Sequence, residues 1–327
     1  MSTVVKADSA VPAESAHPLA RRRPLGDRAF ALLALAAGLL VLVILILIVI
    51  STSQQASSWF STEGWGIFAY NWNPGANQFG VLAFIYGTAV TAVIAVVIAV
   101  PVSIGIALLL TEVVPRRWAR PIVYVVDLLA VVPSVVWGLW GILVFAPWAN
   151  HIYGSIASGV NGIWVLGFLF GGNNISGASF FTAGLILAFM ITPIVTSLSR
   201  EVVATTPSID KQGAYALGAT RWEMIRGVVW PHSQGGVVGA VLLGLGRAMG
   251  ETIAAALVIG SSPTITSHLF APGYNMPAGI ANLFGESFGV ERAALMGMGV
   301  LLFAFTIIIN VLARGIVERN ARQKRGA

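Results

Sequence analysis

Long apolar runs separated by short polar stretches set the rhythm of this chain. Residues 29–50 read as one run, FALLALAAGLLVLVILILIVI in its bulk. A helix over that run is about 33 Å long, enough to cross a hydrocarbon layer of about 30 Å. A cleaved signal segment is the competing reading, but its apolar part is usually only about 7–15 residues. The greater length and the following STSQQASSW favour an uncleaved helix. Five further spans are expected at 80–111, 121–147, 178–200, 236–261 and 294–316, with Pro101, Pro133 and Pro193 inside three of them. The run 161–171, NGIWVLGFLFG, is too short to cross and reads as an interfacial or re-entrant piece. The expected fold class is therefore an all-α integral membrane protein with six transmembrane helices, the first at 29–50 and the other five in a core of 80–316.

Composition agrees with that reading. Hydrophobic residues make up 57% of the 327 residues and charged ones only 10%, against about 25% charged in soluble domains. The absence of cysteine excludes disulfides and thiolate metal sites, and the four histidines show no ligand spacing. Charge placement sets a topology. Of 19 Lys and Arg, all but Arg247 and Arg292 lie in the N-terminal tail, the loops 112–120 and 201–235 with its edge at Arg200, or the C-terminal stretch from Arg314. The positive-inside rule makes those segments, and both termini, cytoplasmic. This accounts for a pI near 10.1 without nucleic acid. Residues 1–28 read as a disordered basic tail, and 317–327 as a second basic tail.

The longest cytoplasmic connection, 206–230, reads as two short helices. Thr206 caps the first with Pro207 at its first position, and Gly218 ends it. Thr220 and Glu223 form a T-x-x-E capping box for the second, and Pro231 closes it. Such a pair is either a docking element or an ordinary structured loop. The three lysines, Lys6, Lys211 and Lys324, are followed by Ala, Gln and Arg, so no phosphate-cradling Gly-Lys-Ser/Thr occurs.

The charges in apolar surroundings carry the remaining chemistry. In GLGRAMGETIAAALVIG, 244–260, a continuous helix puts Arg247 near mid-span and Glu251 four residues on, on the same face. A charge at a helix centre costs about 2.5–3.5 kcal/mol on insertion scales, so that face is expected to point into the bundle or a wet cavity. Gly246 and Gly250 form G-x-x-x-G, which is expected to set it beside a packed seam where two bundles or subunits meet. Arg suits an oxyanion because its planar fork of donors matches phosphate-like oxygens. The alternative is a structural ion pair. Asp127 is a third intramembrane charge, either a transport residue or one that is wet or paired with a loop arginine.

Three segments resemble one family. QGAYALGATRWEMIRGVVWP, 212–231, is similar to the EAA loop of ABC-importer permeases: Ala214, Gly218, Val228 and Pro231 match, while Gln212, Gly213 and Trp230 depart from it. GRAMGET (246–252) and VVPSVVWGLWG (131–141) resemble signatures of permease subunits of the phosphate-specific ABC importer, of the PstC type more than the PstA type. The resemblance implies a type I ABC-importer permease fold in the bacterial cytoplasmic membrane. It implies phosphate passage at Arg247, with Thr252 and Ser134 as lesser contacts; Glu251 and Asp127 join them as pathway candidates because they are charges inside the expected spans. It also implies ATPase coupling through Gln212, Gly213, Ala214, Leu217, Gly218, Glu223 and Pro231. The implied partners are a second homologous permease, two ATPase subunits that bind ATP and Mg, and an extracytoplasmic phosphate-binding protein. No cofactor and no metal is expected in this chain, and no enzymatic activity. Another oxyanion such as sulfate or molybdate, and an ATP-independent transporter or channel, remain the alternatives.

Overall fold

A computed structural model describes residues 25–160 and 162–325, with side chains from 29 to 315. Most of the expected N-terminal tail, and the side chains of the C-terminal one, lie outside the described residues. Two units divide the chain, Met1–Ile50 and Ser51–Ala327. The first holds most of α1 (Leu25–Gln55), which starts inside the stretch expected to be a tail and is apolar on every face between residues 30 and 50.

The second unit holds the rest. After α2 (Ser57–Glu63) a two-stranded antiparallel ribbon, β1 (Trp72–Asn73) and β2 (Gln78–Phe79), leads into α3 (Leu82–Leu108). Then come α4 (Arg116–Val131), α5 (Ser134–Trp140), α6 (Ala146–Val160), α7 (Trp164–Phe170) and α8 (Phe180–Ala204). The chain continues through α9 (Ser208–Ala216), α10 (Arg221–Met224), α11 (Trp230–Gly250), α12 (Ile253–Val258), α13 (Met276–Leu283) and α14 (Gly289–Arg325). Among the described residues six helical stretches are long and apolar enough to cross a membrane: Ala29–Gln55, Leu82–Val113, Ser134–Val160, Phe180–Ala204, Arg221–Gly250 and Gly289–Gly315.

Two expected spans are corrected. The run 121–147 is not one helix, because Val132 and Pro133 adopt extended backbone between α4 and α5. Proline disfavours helical backbone in the residue before it, so the crossing stretch begins at Ser134 instead. The run 236–261 is also broken: α11 stops at Gly250, Glu251 is extended at φ −71°, ψ 123°, and α12 starts afresh.

The core forms around α8. Its apolar window is 61% buried, against 17–28% for the other spans of the second unit. Ser179 caps its start by accepting from Thr182 N at 3.3 Å. Small residues bring the neighbouring helices close. A Cβ on Gly184 would lie 2.5 Å from Ile94 Cγ2 of α3, and one on Gly244 of α11 would lie 2.6 Å from Val195 Cγ2 of α8. Ser103 of α3 donates to the Thr192 carbonyl beside Pro193, at 3.1 Å.

Residues 262–275, in the connection between the fifth and sixth expected spans, fold back into the protein. Phe270, Ala271 and Tyr274 are buried, and Met276 N donates to the buried Thr88 hydroxyl at 2.9 Å. Phe180 N and Phe181 N donate to the carbonyls of Ala271 and Leu269. Irregular backbone is tolerated in such a fold where protein, not lipid, satisfies its polar groups. The short run near 161–171 forms α7, whose Phe170 packs on Phe181 and Phe270.

Candidate functional site

The break after Gly250 explains how the two charges of the 244–260 stretch are accommodated. Arg247 lies in the last turn of α11, where unsatisfied carbonyls favour a cation. Glu251 lies in the break, two residues before α12, and its Oε1 accepts from Ala254 N at 3.4 Å at the start of that helix, where free N–H groups favour an anion. The i,i+4 geometry expected for them requires a continuous helix. Without it Arg247 forms no ion pair among the described residues. Its side chain is exposed, and Glu251 is half-buried.

Arg247 faces an open groove of about 920 Å³ between α8, α11 and α14. Gly235, Gly239 and Gly246 form one wall, and Asn310 and Arg314 of α14 stand on the other side. From Gly235 to Arg247 the wall is about 18 Å long at 1.5 Å per residue. The lining therefore holds two guanidinium groups and an amide, and no carboxylate. Sequence reading missed Asn310 and Arg314. The signal was present, since Asn310 interrupts the apolar run IIINVLA.

Two glycine stripes on α11 have different fates. Gly236 and Gly244 meet Val202 and Val195 of α8, whereas a Cβ on Gly239, Gly246 or Gly250 would find nothing within 4 Å. The G-x-x-x-G of Gly246 and Gly250 thus meets no helix among the described residues of this chain, while Gly236 and Gly244, on another face of α11, do.

Ser134 opens α5 and is half-buried. One turn on, Gly138 packs against α12, with its Cβ position 2.9 Å from Ala254 Cα. Thr252 donates to the Gly250 carbonyl at 3.3 Å within the break. Asp127 lies on α4, half-buried and outside the six crossing stretches, and it does not line the groove.

The 206–230 region presents a second face. α9 starts at Ser208, with Pro207 rather than Thr206 at the capping position, and the Thr206 hydroxyl is buried without a hydrogen-bond partner among the described residues. Gly218 takes φ +84°, a left-handed turn that glycine adopts without steric cost. The capping box forms: Thr220 N donates to Glu223 Oε2 at 2.7 Å and Glu223 N to the Thr220 hydroxyl at 3.4 Å. Pro231 does not end this helix. A π-helical turn at Ile225–Val229 joins α10 to α11, and Trp230 N reaches back five residues to the Ile225 carbonyl. Pro231 follows as the second residue of α11, inside the continuous stretch Arg221–Gly250, and having no N–H it cannot donate to the turn before it.

Ala214 packs against the small core of Val203, Met224, Ile225 and Val229. Gln212 and Gly213 are exposed. Leu217 is 91% exposed, with Ile209 and Trp222 also exposed, so the tip carries an apolar knob. Its root is tied to α3. Lys211 Nζ donates to Glu112 Oε1 at 2.5 Å, with the two side chains 19% and 7% exposed. Arg221 Nη1 lies 3.5 Å from the Val113 carbonyl. Glu112 and Val113 belong to a second π-helical turn, Leu109–Val113. Glu112 and Lys211 are 99 residues apart, and nothing local in the sequence pairs them.

A helical membrane chain with a cationic groove and a tethered, apolar-tipped loop has the form of a transport permease. Residues 99–325 match the family described as "Binding-protein-dependent transport system inner membrane component", and the chain belongs to that family. It is 43% identical over 324 residues, 98% of each chain, to the "Phosphate transport system permease protein PstC" of Mesorhizobium japonicum. It is 41% identical to the protein of that name from Haemophilus influenzae, over 82% of this chain and 86% of the relative. The fold is similar to a chain of a bacterial alginate ABC transporter solved with its periplasmic protein, at TM-score 0.60, 14% identity and 91% and 98% coverage. It is also similar to the MetNI methionine ABC transporter, at TM-score 0.53, 17% identity and 76% and 99% coverage.

Proposed function

We propose that this chain is a permease subunit of an ATP-driven phosphate importer and that the Arg247 groove is its share of the translocation path. The observation that carries the reading is two guanidinium groups on one groove without a carboxylate. An oxyanion gains charge-assisted hydrogen bonds there. The relatives named for phosphate transport support phosphate as that oxyanion.

In this reading the basic segments, and with them both termini and the 206–230 loop, face the cytoplasm. The Leu217 knob docks on an ATPase subunit that binds ATP and Mg. Its movement reaches α3 through Lys211–Glu112 and passes into α11 through the π turn. Gln212, Gly213, Gly218 and Glu223 shape that docking face. The open stripe at Gly239 and Gly246 receives a second permease subunit, which closes the groove. A phosphate-binding protein delivers from the opposite face. Ser134 and Thr252 are candidate hydroxyl contacts, and Glu251 holds the break through its cap on α12.

The test is uptake of labelled phosphate at low external concentration by the assembled transporter. Hydrogen bonds to a charged group are worth about 1.5–3 kcal/mol, so Arg247→Gln is expected to lose about tenfold or more. Arg247→Lys should retain part of the activity. Normal uptake by both variants in fully assembled complexes would refute the pathway role. Equal inhibition by sulfate would make this a general oxyanion path.

A further inference from the structure

A second cationic cavity, of about 490 Å³, lies away from the groove, between the end of α3, the start of α4, α8 and α9. Arg116, Arg120, Arg200 and Lys211 line it with Tyr124 and Thr111. Lys211 is held by Glu112, but Arg116, Arg120 and Arg200 form no ion pair among the described residues. No carboxylate lines the cavity. Three unneutralised guanidinium groups around one concavity repel one another, and a phosphoryl group is the ligand whose oxygens match their donor forks.

The helix that supplies two of them says which phosphoryl compound fits. Arg120, Tyr124, Leu128 and Val131 follow one another at spacings of four, four and three, so they form a single stripe along α4. All four are exposed, Tyr124 and Leu128 at 69% and Val131 at 78%. The stripe passes from a cation, through an aromatic ring with a polar tip, to aliphatic side chains over about 16 Å. Trp118 is exposed beside the arginines. Cation, aromatic belt and aliphatic surface in that order match the headgroup, interface and acyl layers of one bilayer leaflet. A free phosphate ion would use the arginines and leave the rest of the stripe without a role.

We propose that this cavity binds the phosphate group of an acidic phospholipid, with the acyl chains lying along Tyr124, Leu128 and Val131. The site shares Lys211 with the ion pair that roots the 208–216 helix, so an occupied site adds an anion to the anchor of that helix. An acidic leaflet thereby stiffens the connection between the exposed loop and α3.

The test uses the full-length chain, delipidated in neutral detergent, with bound lipid counted by native mass spectrometry. Phosphatidylglycerol and phosphatidylcholine of the same acyl chains are titrated separately, then inorganic phosphate. Phosphatidylglycerol is expected to bind and phosphatidylcholine not. An arginine near a membrane surface is worth about 1 kcal/mol, a factor of about five, so Arg120→Gln with Arg200→Gln should weaken binding roughly thirtyfold. Arg117→Gln removes the same charge from an exposed position that does not line the cavity, and it should leave binding unchanged. Leu128→Gln, which leaves every arginine in place, should weaken lipid binding alone. Equal binding of the two lipids, or equal loss in Arg117→Gln, overturns the site. Displacement of the lipid by millimolar phosphate, with Leu128→Gln unaffected, overturns the lipid and assigns the cavity to the free ion.

Discussion

Removing Lys211 should damage this protein more than removing its partner Glu112. The pair joins α9 to the π turn after α3 at 2.5 Å, but its two sides are unequally buried: 7% of the Glu112 side chain is exposed and 19% of the Lys211 side chain. An exposed pair contributes about 0–1 kcal/mol, whereas deleting one partner of a buried pair costs about 3–5 kcal/mol through the charge left behind. Lys211→Met strands a carboxylate near the buried limit, with no other hydrogen-bond partner among the described residues, and should cost about 3 kcal/mol. Glu112→Gln strands a flexible ammonium that can swing toward water, and should cost about 1 kcal/mol. The double variant should recover part of the loss, with an interaction energy of about 1–2 kcal/mol. Denaturation of the four proteins in one detergent gives the cycle, and the ratio of phosphate moved to ATP hydrolysed reads coupling in the assembled transporter. Equal costs for the single variants, or additivity within about 0.3 kcal/mol, refute the reasoning. An unchanged transport ratio in both single variants refutes the pair as a connection between loop and span.

Other consequences follow from the packing and the surface. Leu217→Asp changes a side chain that is 91% exposed, so stability should stay within about 0.5 kcal/mol while co-purification of the ATPase subunit is lost; normal co-purification removes the docking assignment. Gly244→Leu should destabilise the isolated chain by about 1–3 kcal/mol or more, since even its Cβ lies 2.6 Å from Val195 Cγ2. Gly246→Leu, with nothing within 4 Å, should leave the isolated chain stable and block assembly with the second permease. Similar thermal midpoints for these two glycine variants would show that the packed and open stripes are misassigned.

Much of this architecture was legible because it depends on neighbours in sequence. The Thr220–Glu223 box and the left-handed Gly218 are local, and the structure places both as their residue types require. Register was less legible. The apolar runs announce crossing stretches, yet composition averaged over a window does not reveal where a helix stops. Asp127 therefore reads as part of a crossing span only if α4 and α5 are one helix, and Arg247 and Glu251 read as a pair only if α11 continues past Gly250. Pro133 carried a usable signal for the first break, since proline restricts the residue before it. Glu251 on an extended backbone carried none. The groove was half legible: Arg247 stood out against its apolar surroundings, while Arg314 was absorbed into the basic C-terminal stretch.

The sequence by itself determined that the chain is a membrane protein with six apolar crossing stretches and that its basic residues gather in the tails and in alternate connections. Those properties follow from composition over successive stretches and from charge, which need no partner elsewhere in the chain. Only the tertiary structure decided which glycine stripe is packed and which is open, because Gly244 and Gly246 differ by a rotation about the helix that only α8 can make meaningful. It alone joined Glu112 to Lys211, set Arg314 across a groove from Arg247, and gathered Arg116, Arg120 and Arg200 around one cavity. In each case groups from different elements meet, and their meeting is fixed by how those elements pack.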